Sequence, residues 1–208
     1  LVDYGELISM DVSLSNFGLL DASGVSATLS SGNPNITIVD DVDSWGAILA
    51  NNSKLVTNAF SVLIADDIVD QEIINYEITV ADNSGNSWVS YFSTTAHAPA
   101  LVIDQLSIDD QNGNGNGRIE AGETVDIIIP SNNLGSSSCA NLTGTLTSSS
   151  SYVTITNNTF NLGALGASTN ATAIFEVEIS PNTPFGEPLD FVYLLEDGAY
   201  SQTLNFTE

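Results

Sequence analysis

The strongest constraint on this chain is an internal repeat. GELISMDVSLSNFG, beginning at Gly5, aligns with GETVDIIIPSNNLG, beginning at Gly122, at a constant offset of 117 residues. Without a gap, Thr28 and Leu29 fall on Thr145 and Leu146, Ile36-Thr37-Ile38 on Val153-Thr154-Ile155, and Gly46 and Ile48 on Gly163 and Leu165. After a slip of two residues, Phe60, Val62 and Ile64 match Phe175, Val177 and Ile179. Glu72, Tyr76 and Asp82 then match Glu187, Phe191 and Asp197. Agreement at two offsets only implies duplication of one structural unit. A length of 208 residues allows two domains of about 100 residues each.

Within each copy the hydrophobic pattern has period two. Ile8, Met10 and Val12 alternate with Ser9, Asp11 and Ser13; Phe60, Val62 and Ile64 alternate, as do Tyr76, Ile78 and Val80. Such alternation over short runs predicts half-buried strands, and the intervening NPN, DNSGN and EDG stretches predict turns. The chain is therefore expected to be all-β: two tandem immunoglobulin-like antiparallel β-sandwiches of about seven strands each. The boundary falls at His97-Ala98-Pro99-Ala100, because Pro99 cannot donate to a ladder. This gives domains at 1–97 and 98–208. Arg118 aligns with Leu1, so residues 100–117 have no counterpart in the first copy. The first domain is expected to lack an opening strand and loop, its edge open unless residues upstream or another chain complete it.

Charge narrows the function classes. Lys54 and Arg118 are the only Lys or Arg residues, against 26 acidic ones, giving a net charge of −24. With no basic footprint, nucleic acid and anionic membrane surfaces are excluded as partners. No run of 18 apolar residues predicts a membrane-inserted helix. The single cysteine, Cys139, rules out an internal disulfide framework and a cysteine-rich zinc site.

The second copy carries QNGNGNGRIEAGE at residues 111–123. An EF-type calcium loop places oxygen ligands at positions 1, 3, 5, 7, 9 and 12, with glycine at 6. Starting at Asn112, this assigns Asn112, Asn114, Asn116, the Arg118 carbonyl, Glu120 and Glu123, with Gly117 at the turn. Starting at Asp110 puts Ala121 at the last ligand position, where it cannot ligate. Asp109 and Asp110 are candidate additional ligands, and Asp3 and Glu6 occupy the matching positions of Glu120 and Glu123 in the first copy. Neutral amide ligands predict weak calcium binding, with Kd on the order of 10⁻⁴ to 10⁻³ M. The competing reading is an interstrand turn that uses Asn and Gly only for their tolerance of positive φ.

Nothing marks a catalytic constellation. Cys139 and His97 are the only residues capable of a thiol dyad, yet Cys139 aligns with Ala22 and reads as a small core residue. The pairs Asp40-Asp41, Asp66-Asp67 and Asp109-Asp110 lie in turn-like contexts, where carboxylates are solvated. Trp45, which aligns with Leu162, and Trp88 are expected to pack in cores or between domains. The alternative is a sugar-stacking face that also uses Tyr91 and Phe92.

NGNGRIEAGETVDIIIPSNNLG, followed by LGAL and a phenylalanine-bearing strand, resembles the immunoglobulin-like modules of gingipain-like secreted bacterial peptidases and related large surface proteins. The resemblance implies a fold of the fibronectin III or CARDB-like kind, export by the type IX secretion route, and a secreted or cell-surface location. It implies no protease activity, since no catalytic or sorting segment is matched. The implied role is a non-catalytic, calcium-stabilised spacer or adhesion region, an accessory to a larger protein. Its partners would be other domains of the same parent, a glycan or a surface protein. An oligomer or fibre completed by strand donation is the further alternative.

Overall fold

A computed structural model describes residues 1–208, which divide into two compact units, Leu1–His97 and Ala98–Glu208. Both are built from strands alone. The first unit contains β1 (Val2–Asp3), β2 (Leu7–Asn16), β3 (Ala22–Ser30), β4 (Ile36–Asp40), β5 (Val42–Ile48), β6 (Asn52–Ile64), β7 (Ile73–Ala81) and β8 (Ser87–His97). One sheet runs β1-β8-β7-β3-β5 and the other β2-β6-β4. All pairings are antiparallel except that of β1 with β8, which is parallel.

The second unit contains β9 (Leu101–Ile103), β10 (Ser107–Asp109), β11 (Thr124–Asn133), β12 (Cys139–Ser148), β13 (Val153–Ile155), β14 (Thr159–Leu165), β15 (Thr169–Ile179), β16 (Asp190–Asp197) and β17 (Tyr200–Thr207). Its sheets run β14-β12-β16-β17 and β10-β11-β15-β13, with β9 also paired to β11. Strands β2 to β8 and β11 to β17 thus follow one strand order, seven and seven. Strands β9 and β10 have no counterpart before β2.

The fold is an immunoglobulin-like β-sandwich in each unit, and alternation is what builds it. Along β11, Val125, Ile127 and Ile129 point inward, meeting Phe175 and Val177 of β15 and, across the sandwich, Leu146, Phe191 and Tyr193. In the first unit Trp45 of β5 is fully buried, lies 6.1 Å from Phe60 of β6, and donates its Nε1–H to the Val12 carbonyl at 3.3 Å. Burying one such aromatic side chain is worth about 3 kcal/mol. Cross-strand stacks recur at equivalent places, Tyr76 on Phe92 at 4.8 Å and Phe191 on Phe206 at 5.1 Å.

The backbone irregularities recur too. The β3–β5 register shifts at the Val25–Gly46 pair and the β12–β14 register at Leu142–Gly163. Gly46 and Gly163 sit at φ of 63° and 70°, a left-handed conformation that glycine adopts without a Cβ clash. The two-residue slip of the repeat has a physical location. Met10 pairs with Phe60 but Val12 pairs with Val56, so β6 bulges between them, whereas β11 and β15 pair without interruption. Asn58, at φ 51°, caps the bulge by donating its N–H to Asp11 Oδ1 at 2.8 Å.

Candidate metal-binding loop

The loop 110–123 connects β10 to β11 and is organised around Asp110. Leu106, Ile108 and Asp110 share one phase of the alternation, and Leu106 and Ile108 both pack against the core. Asp110 therefore turns inward and is only 4% exposed. Its Oδ2 accepts the main-chain N–H of Asn116 at 2.8 Å and of Gly117 at 3.0 Å, while its carbonyl accepts Gly113 N–H at 2.7 Å. A buried carboxylate draws these donors inward because an unpaired charge there is costly.

Glu123, half-buried, clamps the other side. Its Oε1 accepts Asn114 N–H and its Oε2 accepts Glu120 N–H, both at 3.2 Å. Glu120 accepts the side-chain amide of Asn114. The Asn114 and Asn116 side-chain oxygens each cap the N–H two residues on, at 3.1 and 2.9 Å. Asp109 does the same for Gln111 at 3.1 Å. Asn112, Asn114, Asn116, Arg118 and Glu120 are exposed and Asp109 and Glu123 half-buried, so of the candidate ligands in this loop Asp110 alone is buried. In the first domain Asp3 N–H donates to Glu6 Oε2 at 3.2 Å, the same bond as Glu120 to Glu123.

The fit to calcium has two sides. The donor set is all oxygen, which suits a hard cation, and each carboxylate oxygen that accepts one N–H keeps a second acceptor site. Yet no group of three or more His, Cys, Asp or Glu side chains is gathered as a metal cage. Any cation here must rely on Asn amide oxygens and main-chain carbonyls as well as carboxylates, which lowers affinity. Sequence spacing gave Asp110 a supporting role; in the fold it is the buried acceptor around which the loop's main-chain N–H groups gather.

A second acidic feature escaped sequence reading. Asp109, Asp126 and Glu176 are neighbours across β10, β11 and β15. Burial, then the charges of Glu176 and Asp109, push the Asp126 carboxyl above its usual pKa.

The thiol and aromatic candidates resolve differently. Cys139 is buried, and burial with the nearby Asp197 charge pushes its thiol up to about 11, which disfavours the reactive thiolate. His97 lies in the first domain beside Gln71, 3.5 Å from Nε2. Trp45 is core, but the core expectation fails for Trp88, which is 52% exposed. Trp88 points toward the inner side of its sheet, beside Val80 and Ile48, where no strand covers it. Tyr91 is exposed and Phe92 half-buried.

These features define a class: an all-β protein of immunoglobulin-like sandwiches with an acidic, asparagine-rich interstrand loop. No family model matches the chain, and no curated protein matches it. Among solved structures, the C-terminal domain of the AgI/II polypeptide BspA of Streptococcus agalactiae aligns at 8% identity and a TM-score of 0.49, covering 99% of this chain and 93% of that one. The secreted serine protease VesC from Vibrio cholerae aligns at 14% identity and a TM-score of 0.32, covering 99% of this chain and 48% of that one. Red sea bream transglutaminase aligns at 11% identity and a TM-score of 0.38, covering 98% of this chain and 29% of that one.

Proposed function

We propose that this chain is a non-catalytic, calcium-stabilised spacer or adhesion region of a larger secreted or cell-surface bacterial protein. The observation that carries the reading is the Asn–Gly loop drawn around the buried Asp110 carboxylate, with Glu120 and Glu123 closing it. Calcium would bind through Asp110, Glu123, Glu120 and the Asn112, Asn114 and Asn116 amides. Its charge would offset that of the acidic loop and fix the β10–β11 connection.

The extracellular location and the type IX export route rest on the resemblance of NGNGRIEAGETVDIIIPSNNLG to modules of gingipain-like peptidases and related surface proteins. High negative charge and a surface rich in Ser, Thr and Asn suit a salty medium, where self-repulsion is screened over about 8 Å. A second reading, a carbohydrate- or protein-binding module, is favoured by the exposed Trp88 and Tyr91 rings. A glycan array separates the two.

The test is thermal unfolding in calcium against chelator. With a Kd of about 10⁻⁴ to 10⁻³ M, 10 mM calcium stabilises the second domain by about 1.4 to 2.7 kcal/mol. That raises its Tm by roughly 5 to 15 °C. Identical melts in both conditions refute the calcium reading.

A further inference from the structure

Strand β11 of the second domain is closed on its outer side, and the equivalent strand β2 of the first is not. Residues 101–103 of β9 pair with 131–133 of β11, and residues 107–109 of β10 pair with 126–128. Beneath them Val125, Ile127, Ile129, Ser131 and Asn133 are fully buried. In β2 the matching residues Ile8, Met10, Val12, Leu14 and Asn16 are all partly exposed. Between β2 and the opposite sheet run adjoining depressions of about 560, 250 and 610 Å³, walled chiefly by Met10, Val12, Leu14, Ile78, Val80 and Trp88.

A buried asparagine shows what is missing. Asn133 donates to the carbonyls of Ser137 and Leu165, and its Oδ1 accepts the N–H of Gly135 and of Ala100, the residue before β9. Its counterpart Asn16 repeats the first three bonds, donating to Leu20 and Ile48 and accepting from Gly18. The fourth, to an opening strand, has no counterpart. Gly135 must be glycine because a Cβ there would lie 2.2 Å from the Ala98 carbonyl oxygen of the passing chain. Gly18 is glycine at the matching position, although only the Asn16 side-chain oxygen lies near its Cβ direction, at 3.0 Å. The first domain keeps the fittings for a strand that residues 1–97 do not provide.

We propose that the groove between β2 and β8 is a docking site for one extended polypeptide strand, antiparallel to β2, with apolar side chains at alternate positions and a main-chain N–H directed at Asn16 Oδ1. Its chemistry is that of residues 100–109 in the second domain. A second copy of this chain cannot spare that segment, which is already paired with its own β11. The occupant is therefore a separate partner peptide of that chemistry, not the β9–β10 segment of a second copy. Recognition follows β-augmentation, in which main-chain bonds give affinity and alternate side chains give register. An uncovered ten-residue edge strand is otherwise an aggregation hazard.

The experiment uses the whole chain and a synthetic peptide of residues 100–109, with a scrambled peptide of the same composition as control. Both tryptophans lie in the first domain, and only Trp88 is exposed. The peptide should shift tryptophan emission to the blue, saturably, and raise the tryptophan-monitored Tm by about 5 °C or more at saturation. The scrambled peptide should do neither. Met10→Glu, at a partly exposed groove position, should abolish the response while leaving the melt without peptide in place. Trp88→Phe should remove the emission shift but keep the rise in Tm. Absence of both the shift and the Tm rise up to millimolar peptide overturns the proposal. So does equal action of the scrambled peptide, or a concentration-dependent dimer that blocks the peptide, which would mean that β2 pairs with β2 of a second copy.

Discussion

The Asp110 carboxylate accepts the main-chain N–H of Gly117 at 3.0 Å, although the whole Asn–Gly run separates them in sequence. This bond and its neighbour to Asn116 turn a glycine-rich segment into a defined loop. Asp110→Ala should therefore destabilise the second domain by about 2 to 4 kcal/mol, because two N–H groups lose a charged acceptor in a sheltered place. Asp110→Asn, which keeps one oxygen acceptor, should cost less. Chemical denaturation of the two variants beside the parent measures the order.

The carboxylate row across β10, β11 and β15 gives a pH prediction. The Asp126 pKa is raised in the folded state, so its penalty is absent where the carboxyl is protonated in both states. It develops as pH rises from the ordinary carboxylate range through the folded value. Asp126→Asn should be more stable than the parent at pH 7 by about 0.2 to 1 kcal/mol, toward the lower end because the site is partly solvated. The advantage should shrink as pH falls through that window. Paired melts between pH 3 and 7 (roughly the carboxylate titration range) check both sign and window.

Gly144 lies flat against Tyr193, and a Cβ at that position would come within 2.4 Å of the Tyr193 oxygen. The first domain solves the same packing with Ala27 and Ile78, a larger residue against a smaller one. Gly144→Ala should cost about 1 to 3 kcal/mol through overpacking. The double variant Gly144→Ala with Tyr193→Ile should recover part of that loss, a coupling that a double-mutant cycle measures.

Cys139 is buried with its thiol pKa pushed up to about 11. An aromatic disulfide reagent at about pH 8, near the pKa of a free thiol, should find no reactive thiol in the folded protein. In denaturant it should find one per chain. Rapid reaction of the native protein would show that β12 opens or that the thiol is activated.

Much of this fold was legible because alternation and the repeat act together. Ile8 to Val12 and Phe60 to Ile64 fixed which side of each strand faces inward; the slip between copies showed two residues gained before Phe60, but not that they form the bulge at Asn58. Asp110 could have been found the same way, since it shares the phase of Leu106 and Ile108. An EF-type template drew attention instead to spacing from Asn112. The row Asp109–Asp126–Glu176 was not legible, because it depends on the register of three strands distant in sequence. Trp88 has the phase of an inner-face residue. It is exposed because the strand that would cover it is not among residues 1–97, a fact of topology rather than of local pattern.

Equilibrium dialysis against radioactive calcium measures binding at the Asp110 loop without relying on stability. Saturable binding is expected, with Kd of about 10⁻⁴ to 10⁻³ M, as for extracellular calcium modules. That binding should be lost in Asp110→Ala and Glu123→Ala, both checked for folding by circular dichroism. No saturable binding by the parent chain up to about ten times the upper Kd, where a site would be roughly nine-tenths filled, would contradict the calcium reading. Equal binding by both folded variants would do the same.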